Sequence, residues 1–181
     1  VVRNGVPLPE TAGISAVKLY ELLGCNYPKF FKMDGLCRWA WLASECLLGP
    51  GGLPATMNKD NVAVVLTTAH GCLAADMSYL QTIAMPSPAL FVYTLPNIML
   101  GEICIRQGIK GEQMCMLSDG FDSNGLFFTV TDLLRNRDMD GCLCGWVDVN
   151  KGLCDVLMCW VTGDCGDFNA QNLAALYDQY Q

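Results

Sequence analysis

The chain has 181 residues, 52% of them hydrophobic and only 16% charged, with a net charge of −7 and a sequence pI of about 4.5. That length suits one domain over residues 1–181 and is short for two. The acidity excludes a nucleic-acid binder, which needs clustered Lys and Arg against phosphates, and no run of about 18 uninterrupted apolar residues offers a membrane span.

Residues 1–13 mix prolines and glycines with polar residues and read as an irregular opening with one short strand. Ile14, Val17, Leu19, Tyr20 and Leu23 fit a short helix over 14–23, closed by Gly24. After a loop, CNYPKFFKMD, Asp34 is a suitable N-cap for a helix running to about Leu48, with Leu36, Trp39, Ala43, Cys46 and Leu47 on its apolar face. GPGGLP ends it. NVAVVLTT, rich in valine and without helical periodicity, reads as a buried parallel strand. A loop holding the only histidine, His70, leads to a helix near 76–84, and MPSPALF is too rich in proline for a helix interior.

Thr94 and Pro96 make a helix start for NIMLGEICIRQ, which stops at Gly108. Gly101 in its middle costs about 1 kcal/mol relative to alanine, which points to another backbone passing close by. Then follow a strand, MCMLS, a glycine-rich corner, SDGFDSNG, a helix over 123–135, strands GCLCGWVDV and DVLMCWVTG, and a tail, NAQNLAALYDQY, that reads as an amphipathic or frayed helix. Strands alternating with helices at this spacing indicate an α/β layered domain.

Eleven cysteines are an odd count, and Cys104, Cys115 and Cys144 fall inside apolar runs. They read as reduced core residues, which places the protein in the cytoplasm. No charged-then-apolar leader opens the chain, and its start at Val1 leaves room for a few preceding residues. Cys142 and Cys144 share a strand face. With Cys154, Cys159 or Cys165 they match no paired CxxC spacing, so core packing is preferred to a metal site. DMDG and DGFDSNG lack the spaced oxygen ligands of a calcium loop, and RQGIKGE stands in the wrong helix-to-strand order for a phosphate loop. His70 reads as a loop residue capping a backbone group rather than as a base. No metal or cofactor is expected.

The run SPALFVYTLPNIMLGEICIRQGIKGE, with Asn97, Gly101, Ile103, Gly108 and Gly111 in order, resembles the segment of β-ketoacyl synthases that leads to their catalytic strand. KMD (residues 32–34) and DGCLCGWVDV (residues 140–149) add to the resemblance, which spans most of 30–150. It implies a thiolase-like half-domain, a mixed and mostly parallel sheet of about five strands layered with helices. It also implies that the second half, which carries the catalytic histidines or a histidine and an asparagine, lies outside this sequence. Counting from Gly111 to the family's nucleophilic cysteine lands on Gly120. Ser118, Asp119, Gly120 and Phe121 are therefore the vestige of a nucleophile corner, and no catalytic residue is assigned. A condensing enzyme needs a thiolate and basic imidazoles or an equivalent, and neither is supplied. Ser118 or Ser123 lacks a neighbouring base, and the polar corner equally suits a turn and a helix N-terminus.

Leu126, Phe127, Phe128, Val130, Leu133 and Leu134 spread around the helix after the corner, which is expected to be buried on both sides. In the two-half family its counterpart from the second half covers it. Here Leu126, Phe127, Phe128 and Val130 become a candidate partner face, because monomers seldom expose large apolar patches. The resemblance thus implies a catalytically silent accessory or structural subunit in a fatty-acid or polyketide-type pathway, paired with itself or with an active β-ketoacyl synthase. A binding module for acyl carrier protein or an acyl chain is the alternative, with Arg135 and Arg137 as its only close basic pair. An enzyme of unknown reaction is the third.

Overall fold

The structure is a computed structural model, and it describes residues 1–9, 11, 13–163 and 165–180. Its opening is a small hairpin of two-residue strands, β1 (Val2–Arg3) and β2 (Val6–Pro7), turned through Asn4 and Gly5 at positive φ. α1 (Ala16–Leu22) is capped by the Ser15 hydroxyl, and the expected loop after it holds a 3-10 turn at Pro28–Lys32 that buries Phe30. Asp34 caps α2 (Gly35–Leu48) as expected, its Oδ1 accepting the Cys37 N–H at 2.9 Å. The buried face of α2 is rotated from the expected one. Leu36, Cys37, Ala40, Trp41, Ser44 and Glu45 point inward, while Trp39, Ala43 and Leu47 lie at the margin. A buried Glu45 shifted the face: it takes two hydrogen bonds from Arg106 and one from Gln107, tying α2 to a later helix.

β3 (Val62–Thr68) is buried at every position and pairs in parallel with both β4 (Gln113–Leu117) and β5 (Gly141–Asn150). β6 (Leu153–Thr162) runs antiparallel to β5. Among the described residues the main sheet thus has four strands in the order β4-β3-β5-β6, not about five, because the opening segment pairs only with itself.

The helices differ from expectation mainly at their ends. α3 (Leu73–Leu80) begins three residues before 76, directly after the His70 loop. MPSPALF does contain one helical turn, α4 (Pro88–Phe91), because Pro88 occupies the first turn, where no N–H is needed, and Ser87 caps it. α5 (Ile98–Gln107) starts beyond Pro96 and ends on Gly108 at φ 72°, a left-handed cap. Gly101 has no neighbouring backbone: a Cβ there would meet nothing within 4 Å. Gly111 does require its missing side chain, since a Cβ would strike the backbone of Val62 and Asp60.

α6 (Ser123–Asn136) and α7 (Ala170–Asp178) complete the chain. One sheet face, through Val62, Val64, Leu66, Leu143 and Val147, packs on α1, α2 and α5. The other, through Ala63, Val65, Cys142 and Cys144, packs on Leu126, Val130 and Leu133 of α6 and Leu173 of α7. α6 is therefore buried on one side rather than two. Leu126 and Val130 face its own sheet and cannot serve a partner, and Phe127 packs on Phe168. Of the four expected partner-face residues only Phe128 is exposed, at 74%.

Candidate functional site

Parallel strands bring their carboxyl ends to one edge of a sheet, the usual place for a site in α/β proteins. Here that edge gathers the loop after β3, the corner after β4 and the end of β5. Thr68 closes β3, and its carbonyl accepts the Ser118 N–H at 3.1 Å, which seats the corner on the β4 side. Asp148, near the end of β5, lies on the opposite side of β3.

Asp148 is 8% exposed and fully engaged. Its Oδ1 accepts from Thr68 Oγ1 at 2.9 Å, from the Ala69 N–H at 3.0 Å and from the His70 N–H at 2.8 Å. Its Oδ2 lies 2.7 Å from His70 Nδ1. Burial alone would raise the pKa of this carboxyl, but the donors from His70, Thr68 and Ala69 outweigh it and hold the pKa below its ordinary value. The other ring nitrogen, Nε2, lies 2.9 Å from Asn150 Nδ2. With Nδ1 donating to the carboxylate, Nε2 accepts from the amide. His70 therefore does not cap a backbone group with its ring. Both its nitrogens are committed, and it clamps the β3 loop to the end of β5, beside a shallow cleft of about 260 Å³ that also involves Lys151, Leu153 and Asp155.

The corner is built quite differently. Ser118 Oγ donates to the Gly120 carbonyl at 2.8 Å, and Asp119 and Gly120 are exposed. Asp122 caps α6, accepting from the N–H groups of Asn124 and Gly125. Phe121 turns inward, 4.5 Å from the Tyr177 ring and 6.4 Å from Trp146. Trp146 Nε1 and the Tyr177 hydroxyl both donate to Asp155 Oδ2, so α7 closes over this end of the sheet. Ser118 and Asp148 flank β3 on opposite sides, two strand spacings or roughly 10 Å apart. The structure does not join the corner hydroxyl to the imidazole.

The family-motif residues are structural in placement. Asn97 precedes α5 without a side-chain cap, Ile103 is fully buried, and Gly108 and Gly111 shape the turn into β4. Burial pushes the Cys104 thiol up to about 12 and the Cys72 and Cys159 thiols up to about 11, the reverse of an activated nucleophile. Arg137 is paired with Asp132 at 2.9 Å and Glu112 at 3.1 Å, leaving Arg135 as the other half of the expected basic pair. Among the described residues no cluster of three or more His, Cys, Asp or Glu could hold a metal ion, and no helix is long and apolar enough to cross a membrane. One sign of Asp148 was legible beforehand, an acidic residue late in an otherwise apolar strand. Nothing in the local pattern marks Asn150 as a partner of His70.

No protein-family model and no curated protein matches this chain. Solved structures do. The chain is similar to the ishigamide ketosynthase/chain length factor, with a TM-score of 0.63 and 21% identity over 81% of this chain and 43% of that one. It is also similar to a ketosynthase (ApeO) in complex with its chain length factor (ApeC) from Xenorhabdus doucetiae, with a TM-score of 0.52 and 19% identity over 80% and 53%. A third is a type II PKS acyl-carrier protein in complex with its ketosynthase bound to the hexaketide, with a TM-score of 0.58 and 13% identity over 78% and 41%. The chain thus has a thiolase-like, ketosynthase half-domain fold and spans about half the length of the solved chains it matches.

Proposed function

We propose that this chain is a ketosynthase-fold subunit without condensing chemistry of its own, which works in contact with an active ketosynthase in a polyketide or fatty-acid type pathway. The observation that carries the reading is the surface built by α3, α4 and the segments around them. Between Leu73 and Leu95 the sequence holds a single charged residue, Asp76. Over the same span Leu73, Met77, Leu80, Ile83, Met85, Phe91, Val92 and Leu95 are each between 48% and 85% exposed. So many exposed apolar side chains along one nearly uncharged stretch of chain are characteristic of a protein interface. Its location replaces the expected one on α6, most of which is covered by the chain's own sheet and α7.

Two further observations support the silent half of the reading. Gly120 offers no thiol, and the lone imidazole is tied at both nitrogens away from the corner. The similar solved proteins include ketosynthases with chain length factors, which motivates a partner of that fold. The alternative of a free-standing carrier-protein module is weakened by the pairing of Arg137 with Asp132 of α6 and with Glu112 just before β4.

Co-expression with ketosynthases from the same source, followed by light scattering, tests the reading. A defined heteromer that dissociates on Leu80→Asp or Met85→Asp is expected. A homodimer or monomer indifferent to every ketosynthase tried would overturn it.

A further inference from the structure

β5 and β6 are joined by a two-residue turn, Lys151 and Gly152, both at positive φ, which fixes the register of the whole hairpin. That register sets Cys144 directly opposite Cys159. Both side chains lie on the sheet face covered by α6 and α7, with Cys142 on the same face. Cys144 is fully buried, whereas Cys159 is half-buried and lines a cleft of about 400 Å³ between the end of β6 and α7, together with Cys165, Phe168 and Leu176. One thiol of an opposed pair is therefore open to a small reagent, and the other waits behind it.

We propose that Cys144 and Cys159 are a modification site, a cross-strand pair that closes to a disulfide by exchange with a low-molecular-weight disulfide entering the cleft. Cys159 is no activated thiol, so the step runs slowly through the small fraction that is deprotonated at pH 8, whose sulfur attacks one sulfur of the reagent. A mixed disulfide forms, and one small thiol leaves. The Cys144 sulfur then attacks the Cys159 sulfur and displaces the second small thiol. Two protein thiols are oxidised, one small disulfide is reduced, and the two protons lost by the cysteines end on the two released thiols.

The ladder decides what kind of bridge results. Counting from the Asn150 and Leu153 pair that flanks the turn, Cys144 and Cys159 occupy a hydrogen-bonded site, where Cα atoms stand about 5.5 Å apart. That is inside the roughly 4.4 to 6.8 Å that disulfides span, but the Cβ atoms at such a site splay wider than the usual value of about 3.8 Å. Closing the bridge draws the two strands together. The bond is consequently strained and easily reduced, a reversible catch between the edge strand and its neighbour rather than a permanent staple.

The chain's own cleavage sites make the test decisive. Trypsin cuts after Arg137 and Lys151, and no Lys or Arg follows Lys151, so Cys142 and Cys144 fall in one peptide and Cys154, Cys159 and Cys165 in the next. The folded protein is incubated with oxidised glutathione at pH 8, free thiols are blocked, and the digest is read by mass spectrometry without reduction. The expected product links peptide 138–151 to peptide 152–181, is lost in Cys144→Ser and Cys159→Ser, persists in Cys142→Ser, Cys154→Ser and Cys165→Ser, and reopens in millimolar reduced glutathione. Tandem fragmentation of the wild-type linked pair locates the bridge without relying on any variant's folding. Absence of the linked pair, its survival in Cys144→Ser or Cys159→Ser, a loop confined to Cys159 and Cys165, or resistance to reduced glutathione would each overturn the proposal.

Discussion

The loops that follow β3 and β4 leave the same sheet edge side by side, yet they are held in opposite ways. The β3 loop is fixed from a distance: Thr68, Ala69 and His70 converge on Asp148, which lies about eighty residues further along the chain. The β4 corner is fixed mostly from within, by Ser118 bonding to Gly120 and by Asp122 capping α6. One loop is held by a buried carboxylate, the other by turn chemistry and one inward aromatic ring. Polar residues in a glycine-rich corner thus mark a turn here, while the more demanding polar arrangement sits around a histidine with no motif beside it.

The largest expected effect lies on the first loop. Asp148→Ala leaves Thr68, two backbone N–H groups and the His70 ring without their acceptor, and should cost about 2–4 kcal/mol in urea or thermal unfolding. A loss below about 1 kcal/mol would erase the contrast between the loops. The same carboxylate gives a pH signature. Because its pKa is lower folded than unfolded, its contribution is complete above roughly pH 4 and fades as the pH falls through the lower folded value. Asp148→Asn should flatten the acid limb of a stability-against-pH curve relative to wild type, and an unchanged limb would contradict this account.

His70→Ala removes the link to Asn150 and one of four donors to Asp148, so it should cost about 1–1.5 kcal/mol. Ser118→Ala and Asp119→Ala, on the self-contained corner, should each change stability by less than about 0.5 kcal/mol. A larger loss at Asp119 would show that the corner is held by more than its own turn. Smallest of all is Gly120→Cys. A Cβ at Gly120 meets no heavy atom within 4 Å, so the variant should melt within a degree or two of wild type. It should alkylate readily with iodoacetamide while showing no condensation of acyl thioesters, because the imidazole remains clamped elsewhere.

Sequence patterns carried those parts of the fold whose causes are local. β3 was legible because a valine-rich run with no helical period must be buried on both faces, and every one of its residues is. The Asp34 and Gly108 caps were legible because each fills a need of its own helix end. The rotated face of α2 was not, since a buried Glu45 is tolerated only because Arg106 and Gln107 arrive from another helix. α6 failed for a related reason: composition cannot distinguish Leu126, fully buried, from Phe128, largely exposed, when the covering helix α7 follows only after two further strands. The candidate site follows the same division. The corner residues were visible as a motif, whereas the tie between His70 and Asp148 arises only when β3 and β5 become neighbours, a relation no short-range period encodes.

The nearly uncharged surface between Leu73 and Leu95 has a consequence for conditions rather than for structure. Binding through it would draw on water release instead of ion pairing, so added sodium chloride should scarcely loosen it, and sulfate should tighten it. Cooling should weaken it, as it weakens apolar association generally. A protein with a net charge of −7 would thus meet its partner through the part of itself least sensitive to ionic strength.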